Sequence, residues 1–174
     1  SLIGNSMPSK AQRSDIVSAC LFRDCASAAV VGNGLFAGET PCYIIACGKS
    51  RVVKGTSDIV NYYESDYGVI RLHLDKSLPD LVKEAEFSFF EALVSAARAR
   101  GFHQVSLAEV DVVSPTGGPK KLQNVAAGLG LSEDHLDSSW SVMKANGNLS
   151  GASNLAVLDH HNRYNTKKRK WQFC

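Results

Sequence analysis

The chain has 174 residues, of which 44% are hydrophobic and 21% are charged, and its net charge is +2. A chain of this length can bury the core of one domain. Its near-neutral charge gives no electrostatic case for a nucleic-acid partner, and no apolar run approaches the roughly 18 residues of a membrane span.

The five cysteines are an odd number, and the sequence has neither a CxxC pair nor Cys and His residues at metal-binding spacing. These features argue against a disulfide framework and a zinc site, and free thiols are usual in the cytosol. The sequence shows no signal peptide. We therefore expect a cytoplasmic protein with no metal site, no nucleic-acid partner and no membrane partner.

Three strands are predicted in the first half of the chain. Residues 26–31 are small and β-branched and are bounded by Gly32, which favours a buried strand. Residues 42–53 are predicted as a second strand. Residues 69–74 alternate apolar and polar side chains and are predicted as a third.

The clearest helix is predicted over residues 80–100. Its apolar side chains recur at intervals of three and four positions, as in Leu81, Ala85, Phe89 and Leu93. Pro79 stands just before it and Gly101 just after it, which are the residues expected at the two ends of a helix.

Strands and helices continue to alternate in the second half. Residues 110–113 are predicted as a short buried strand, 120–129 as a helix, and 150–160 as a largely apolar helix that is buried on most sides. Residues 170–174 are predicted to end the chain on a strand. Strands separated by helices in this order predict an α/β layered domain.

Two glycine-bearing turns stand out in this half. The first runs from Ser114 to Pro119 and contains Gly117 and Gly118. The second runs over residues 147–152, Gly-Asn-Leu-Ser-Gly-Ala. Together they resemble the His-Pro-Gly-Gly-Pro turn and the Gly-Asn-(Met/Leu)-Ser-(Ser/Gly)-Ala turn of type III polyketide synthases, the chalcone synthase-like branch of the thiolase superfamily.

Two further segments carry the same resemblance. Residues 19–32 are similar to the family's Ala-Leu-Phe-Gly-Asp-Gly-Ala-Ala-Ala-Leu-Ile-Val-Gly, and Phe22 takes the place of a phenylalanine that gates the cavity. Residues 70–74 are similar to the strand that carries a second cavity-lining aromatic, with Leu72 in its position.

The resemblance implies a thiolase-like α/β layered fold, a mixed sheet covered by helices. It assigns residues 1–174 to the C-terminal half-domain and implies that the N-terminal half, with the nucleophilic cysteine, and the final strands are absent from this sequence. The complete protein would condense an acyl-CoA with malonyl-CoA by decarboxylative Claisen chemistry. Its substrates would be CoA thioesters, with no bound cofactor, and its partners would be the missing half and a second copy in a homodimer.

The resemblance also implies a set of site residues. Asn148 matches the family's catalytic asparagine, and Ser114, or Pro115 after a slip of one residue, stands where the family has its catalytic histidine. The residues implied to line the substrate cavity are Gly4, Phe22, Leu72, Gly117, Gly118 and Pro119. The alternative for Asn148 is that it only caps the following helix.

The missing histidine leaves two functions open. Serine offers one hydrogen bond and no positive charge, and proline donates nothing. We expect this chain alone to be inactive, and the alternative to a synthase domain is a non-catalytic thiolase-fold subunit that binds an acyl ligand or a partner. The half-domain should expose an apolar face to a missing partner, and the 150–160 helix, with Leu155, Val157 and Leu158, should be part of that face.

The remaining charged and titratable residues are interpreted as structural. The basic tract of residues 167–170 is predicted to be a solvated loop before the last strand. The five histidines are predicted to be ordinary surface or packing residues: His73, His103, His135, His160 and His161.

Overall fold

The computed structural model describes residues 13–33, 38–64, 70–113, 118–166 and 169–174. Five α-helices and four strands lie in these ranges, in the chain order α1 Arg13–Leu21, β1 Val60–Glu64, β2 Ile70–Leu74, α2 Leu78–Ala99, β3 Val110–Val112, α3 Pro119–Leu129, α4 Asp137–Asn146, α5 Ser153–Tyr164 and β4 Trp171–Phe173. Gly4, Ser114, Pro115 and Gly117 lie outside the described residues.

The strands form two small sheets of opposite type. Strands β1 and β2 pair antiparallel, whereas β3 and β4 pair parallel, with Asp111 opposite Gln172. The parallel pair continues one residue further, where Val113 N–H donates to the Phe173 carbonyl at 2.7 Å. Mixed pairing with helices packed around it agrees with the predicted α/β class.

The main core lies where α2 and α3 cover the β3–β4 pair. Phe90 of α2 meets Phe173 of β4 edge to face, with 5.3 Å between ring centroids. The apolar side chains buried here come from α2, α3, β3 and α4, and include Phe90, Val94, Ala97, Val110, Val112, Leu122, Val125, Leu129 and Met143. A second cluster joins α4 and α5 through Val142, Leu149 and Val157.

Most of the predicted helices and strands are present with bounds close to the predicted ones. The α2 and α3 helices match the predictions over 80–100 and 120–129, and α3 ends at Gly130, whose φ of 66° is the left-handed cap expected of glycine. The helix predicted over 150–160 begins as a 3₁₀ turn and becomes α5. Strands β2, β3 and β4 were predicted, and β1 was not.

Two predicted strands are wrong. Residues 26–31 and 42–53 form no strand and pair with no strand in the described ranges. A strand needs a neighbouring backbone for its hydrogen bonds, and the described residues supply none there. Much of their apolar surface is exposed, as it is in Val30, Val31, Ile44, Ile45 and Val52.

Side chains hold the 42–53 segment against two helices. Tyr43 Oη donates to the Leu158 carbonyl of α5 at 2.8 Å, and burial raises the pKa of this hydroxyl to about 12. Arg51 donates to the Ala85 carbonyl of α2 at 3.0 Å. The segment is therefore attached to the domain by side chains rather than by a β-ladder.

The interpretation of the basic tract as a solvated loop is wrong for Arg169. Its guanidinium lies 2.7 Å from an Asp111 carboxylate oxygen and 2.6 Å from one of Asp134. Only 19% of the Arg169 side chain is exposed. A buried acid on β3 draws this one basic residue inward, and sequence proximity to three lysines could not reveal that.

No helix in the described part of the chain is both long enough and apolar enough to cross a membrane.

Candidate functional site

The site forms where the end of α1 meets the turn that contains Asn148. Asn148 N–H donates to the Leu21 carbonyl and Arg23 N–H donates to the Asn148 carbonyl, both at 2.9 Å. These bonds make a parallel β-bridge between Phe22 and Asn148. The structure therefore places the predicted gate residue beside the predicted catalytic asparagine, although they are far apart in sequence.

Two glycines allow this close approach. Gly147 has a φ of 72°, and a Cβ at this position would lie 2.9 Å from the Leu21 carbonyl oxygen. Gly118 has a φ of 85°, and a Cβ there would lie 3.1 Å from Leu21 Cδ1. Leu21 therefore lies between the two glycine-bearing turns, and both positions need glycine for backbone conformation and for space.

Asn148 is 2% exposed, and its two side-chain polar groups have different roles. The Oδ1 atom accepts a hydrogen bond from Ser150 N–H at 2.8 Å, which fixes the amide plane. Because the oxygen accepts this bond, the group that the side chain offers to a ligand is its NH₂, which only donates. Asn148 is the N-cap residue of neither the 3₁₀ segment nor α5, and its turn hydrogen bond with Ser150 N–H is compatible with an oxyanion-donating role.

The turn also stores backbone strain. Ser150 has a φ of 54°, the only described non-glycine residue with a positive value. Serine in the left-handed region costs on the order of 1 kcal/mol or more, and such residues gather at functional sites. The strained turn orients Asn148 at the start of the 3₁₀ segment that leads into α5.

The other site candidates that the structure describes are Gly118, Pro119 and Leu72. Gly118 is buried at the start of α3, and Pro119 is the first residue of that helix. Leu72 is half-buried in β2, which packs beside α1, with Arg71 at 3.6 Å from Asp15. The structure thus brings together Phe22, Gly118 and Asn148 and places Leu72 on the next element. Their roles in binding and catalysis remain predictions.

Sequence reasoning missed Leu21 and Gly147 as parts of this site. Leu21 precedes the gate residue, and its backbone carbonyl accepts the bond from Asn148. Gly147 was visible as the first residue of the second turn, but only its contact with Leu21 shows why it must be glycine. A pairing between residues so distant in the chain leaves no local pattern in the sequence.

Arg23 lies at the edge of this site, at a position where the family that this sequence resembles has glycine. Its guanidinium donates to the Ala19 carbonyl at 3.1 Å and to the Phe22 carbonyl at 2.7 Å. Arg23 therefore caps the last turn of α1, where a cation is favourable.

Over the described ranges, no three His, Cys, Asp or Glu side chains come close enough together to hold a metal ion.

Comparisons with known proteins agree on one family. The sequence model for the C-terminal domain of chalcone and stilbene synthases matches residues 45–173. "Probable polyketide synthase 1" of Dictyostelium discoideum is 28% identical over 145 residues, which are 83% of this chain and 5% of that protein.

Solved structures show the same relationship. The C-terminal type III polyketide synthase domain of Steely1, a type I/III hybrid from Dictyostelium, superposes with a TM-score of 0.71 at 27% identity, covering 75% of this chain and 36% of that one. A type III pentaketide synthase from Neurospora crassa, 20% identical, shares the fold with a TM-score of 0.56 over 71% of this chain and 34% of that one.

The chain thus spans about a third of the Steely1 domain and a small part of the Dictyostelium protein. The fold of these neighbours is thiolase-like, and the match falls on their C-terminal part. This chain belongs to the chalcone and stilbene synthase C-terminal domain family and is the C-terminal domain of a type III polyketide synthase-like protein.

Proposed function

We propose that this domain supplies an oxyanion donor, Asn148, to a site that condenses an acyl-CoA with malonyl-CoA in the complete protein. The substrates are CoA thioesters, and the chemistry needs neither a metal nor a bound cofactor. A cysteine of an N-terminal half supplies the nucleophile. The observation that carries the proposal is the position of Asn148, buried and bonded through its backbone to the chain on either side of Phe22.

The reaction has three steps in which negative charge develops on oxygen. The cysteine thiolate attacks the acyl-CoA carbonyl, and CoA leaves as its thiolate. Malonyl-CoA then loses CO₂ and becomes an enolate, which attacks the acyl-cysteine carbonyl and expels the cysteine. A fixed amide NH₂ that donates to the enolate or tetrahedral oxyanion lowers these barriers, and losing one such donor costs about 100-fold to 1000-fold in rate.

Asn148→Asp tests this role because it removes the NH₂ donor while keeping the oxygen that accepts from Ser150 N–H. The aspartate keeps an oxygen that can accept from Ser150 N–H, but it cannot donate to an oxyanion. In a protein that carries this domain with its N-terminal half, we expect malonyl-CoA decarboxylation to fall about 100-fold or more. Asn154→Asp, on the exposed first turn of α5, is the matched control and should keep full activity.

Rates and folding distinguish the outcomes of this experiment. Circular dichroism and thermal melting should show Asn148→Asp folded, since the turn keeps its local hydrogen bond. A folded Asn148→Asp protein with the decarboxylation rate of the parent would contradict the proposal, because the charge on oxygen would then be stabilised elsewhere.

The altered first turn supports a second candidate, a non-catalytic subunit of the same fold. The residues at the histidine position, Ser114 or Pro115, cannot supply a charged donor. Such a subunit would hold an acyl ligand or pair with an active partner. Its cavity would still be lined by Phe22 and closed by the Asn148 turn.

Restoring the histidine separates the two candidates. We expect Ser114→His or Pro115→His to raise malonyl-CoA decarboxylation in a protein with an intact nucleophile, because either change returns a charged donor to the turn. A radiometric CO₂ assay measures this, and Ser106→His, at an extended position before β3, is the control. No gain from either single replacement favours the non-catalytic subunit.

We further propose that the domain works in a cytoplasmic homodimer in which an N-terminal half covers its exposed apolar chain. Val30 and Val52 are 104% and 89% exposed. Aliphatic side chains exposed to this extent are unusual in a complete folded protein. Light scattering of the complete protein, which carries this domain and its N-terminal half, should give twice the mass of one complete chain. A monodisperse monomer that binds no apolar dye would contradict the assembly, and cell fractionation tests the location.

A further inference from the structure

The α2 helix carries apolar side chains on two faces. One face enters the main core through Phe90, Val94 and Ala97. The side chains of the other face are only half-buried, and they line a cavity of about 430 Å³ that residues 51–60 line from the opposite side. The apolar α2 residues of this second face include Leu78, Leu81, Ala85 and Phe89. A cavity of this size is in the range of sites that bind small molecules.

Hydrogen bonds hold the two walls of this cavity to each other. Near the middle of α2, Arg51 Nη2 donates to the Ala85 carbonyl at 3.0 Å and to Ser88 Oγ at 2.9 Å. Just before α2, Asp75 N–H donates to the Ile59 carbonyl at 2.8 Å. The opposite wall is therefore tied to the helix near both of its ends by polar contacts, and the apolar side chains between these contacts enclose space rather than fill it.

The interior of the cavity favours an apolar occupant. The wall opposite α2 contributes Val53 and Ile59. The Thr56 hydroxyl donates its proton to the Val53 carbonyl at 2.6 Å, within its own turn. Burial raises the pKa of the half-buried Glu86 carboxyl, although the Lys121 ammonium opposes this, because a charged carboxylate is poorly solvated on this wall.

A cation lies on the solvent side of the cavity. Arg51 is exposed, and its guanidinium carbon lies 5.8 Å from the centre of the Phe89 ring. Both hydrogen bonds that it makes to the described residues use Nη2. A guanidinium has five N–H donors, so the donors on Nη1 and Nε remain for an anion. Among the described residues that line the cavity, Arg51 is the one cation.

We propose that this cavity binds a fatty acid, with its alkyl chain against α2 and its carboxylate on Arg51. The apolar lining selects the chain, and the cation selects an acid over an amine or an alcohol of the same length. The residues that line this cavity belong neither to α1 nor to the Asn148 turn. Binding of a fatty acid here is therefore independent of the proposed condensation.

Isothermal titration calorimetry with three ligands of equal chain length tests the preference for an acid. The ligands are decanoate, decanol and decylamine, each below the concentration at which it forms micelles. We expect decanoate to bind most tightly. Each methylene removed from the chain should weaken binding about fourfold, so octanoate should bind about 15-fold more weakly than decanoate. No binding of decanoate, or tighter binding of decanol or decylamine, would overturn the proposal.

Arg51→Met tests where the carboxylate lies. Methionine keeps much of the apolar stem and removes the charge, so decanoate should bind about tenfold more weakly while the affinity for decanol is unchanged. Because Arg51 also holds the two walls together, decanol reports whether the cavity persists in this variant. A variant that binds both ligands as the parent does contradicts the assignment of the carboxylate to Arg51.

Ala85→Leu tests where the chain lies, because it places a larger side chain in the cavity. We expect it to weaken both decanoate and decanol at least tenfold. Ala99→Leu, at the exposed end of α2, is the matched control and should bind both as the parent does. If Ala85→Leu binds decanoate with the affinity of the parent, the acid binds elsewhere and the proposal is wrong. If Arg51→Met loses both ligands, the result for Ala85→Leu and the ligand preference of the parent decide.

Discussion

Replacing Gly147 by alanine should lower the free energy of unfolding by about 3 kcal/mol. The added Cβ would lie 2.9 Å from the Leu21 carbonyl oxygen, and the φ of 72° is unfavourable for alanine. The carbonyl belongs to backbone that is itself bonded to Asn148, so it cannot move without breaking the bridge. Urea unfolding followed by circular dichroism measures the loss.

Gly151→Ala is the matched control in the same turn. No atom lies within 4 Å of a Cβ at Gly151, which has no positive φ. We expect this variant to unfold at nearly the same urea concentration as the parent. Equal stability of Gly147→Ala and the parent would show that Leu21 and the Asn148 turn are not in contact.

Replacing Arg169 by methionine should cost about 3 kcal/mol, because it leaves the Asp111 carboxylate buried without its cation. Asp111 is 3% exposed at its side chain, and methionine removes the guanidinium bond at 2.7 Å while the backbone N–H bond at 2.9 Å stays. Methionine keeps most of the aliphatic stem, so the loss reports on charge rather than on packing. Thermal melting and urea unfolding should both show it.

Arg163→Met provides the comparison with an exposed pair. Arg163 contacts Asp159 at 2.8 Å on the surface of α5, with side chains 62% and 58% exposed. Exposed pairs of this kind contribute little, so no measurable change is expected. If the two variants lose the same stability, burial of Asp111 does not determine the strength of the Arg169 contacts.

Periodic apolar spacing predicted the elements that form the main core. In α2 the spacing of Leu81, Ala85 and Phe89 identified the helix but not the face that enters the core, which carries the buried Phe90, Val94 and Ala97. The short buried strand predicted over residues 110–113 is β3, and all three of its residues are buried. These signals are local, so one sequence suffices to find them.

Elements without an apolar stripe were not predicted from the sequence. The α4 helix buries Ser138 and Ser139, and Ser139 Oγ donates to the Val112 carbonyl at 3.1 Å. The α1 helix, Arg13–Leu21, mixes polar and apolar residues around its circumference. In both helices tertiary contacts rather than periodicity fix the structure.

The opposite error occurred in two segments that were predicted as strands but form none. Residues 26–31 and 42–53 have strand-like composition, but composition does not supply the neighbouring backbone that a ladder requires. Side-chain contacts such as Tyr43 to the Leu158 carbonyl hold the second segment instead. A strand forms only where two backbones pair. The composition of one segment does not show whether a partner is present, so it predicted strands where the described residues pair with none.

The sequence motifs predicted which residues belong to the candidate site, but they did not predict how these residues contact one another. Asn148 was predicted from the second turn, and Phe22 from its own segment. Their meeting through a β-bridge, with Leu21 between two glycines, depends on the tertiary fold. The buried pair of Asp111 and His161 was missed for the same reason, since the two residues are distant in sequence.

The most direct test of the central claim is a crystal structure of this domain together with its N-terminal half and a non-hydrolysable malonyl-CoA analogue. The account predicts that Asn148 Nδ2 lies within about 3 Å of the thioester carbonyl oxygen, with Phe22 against the bound chain. An analogue bound elsewhere, or one whose carbonyl lies beyond hydrogen-bond reach of Asn148, would contradict it.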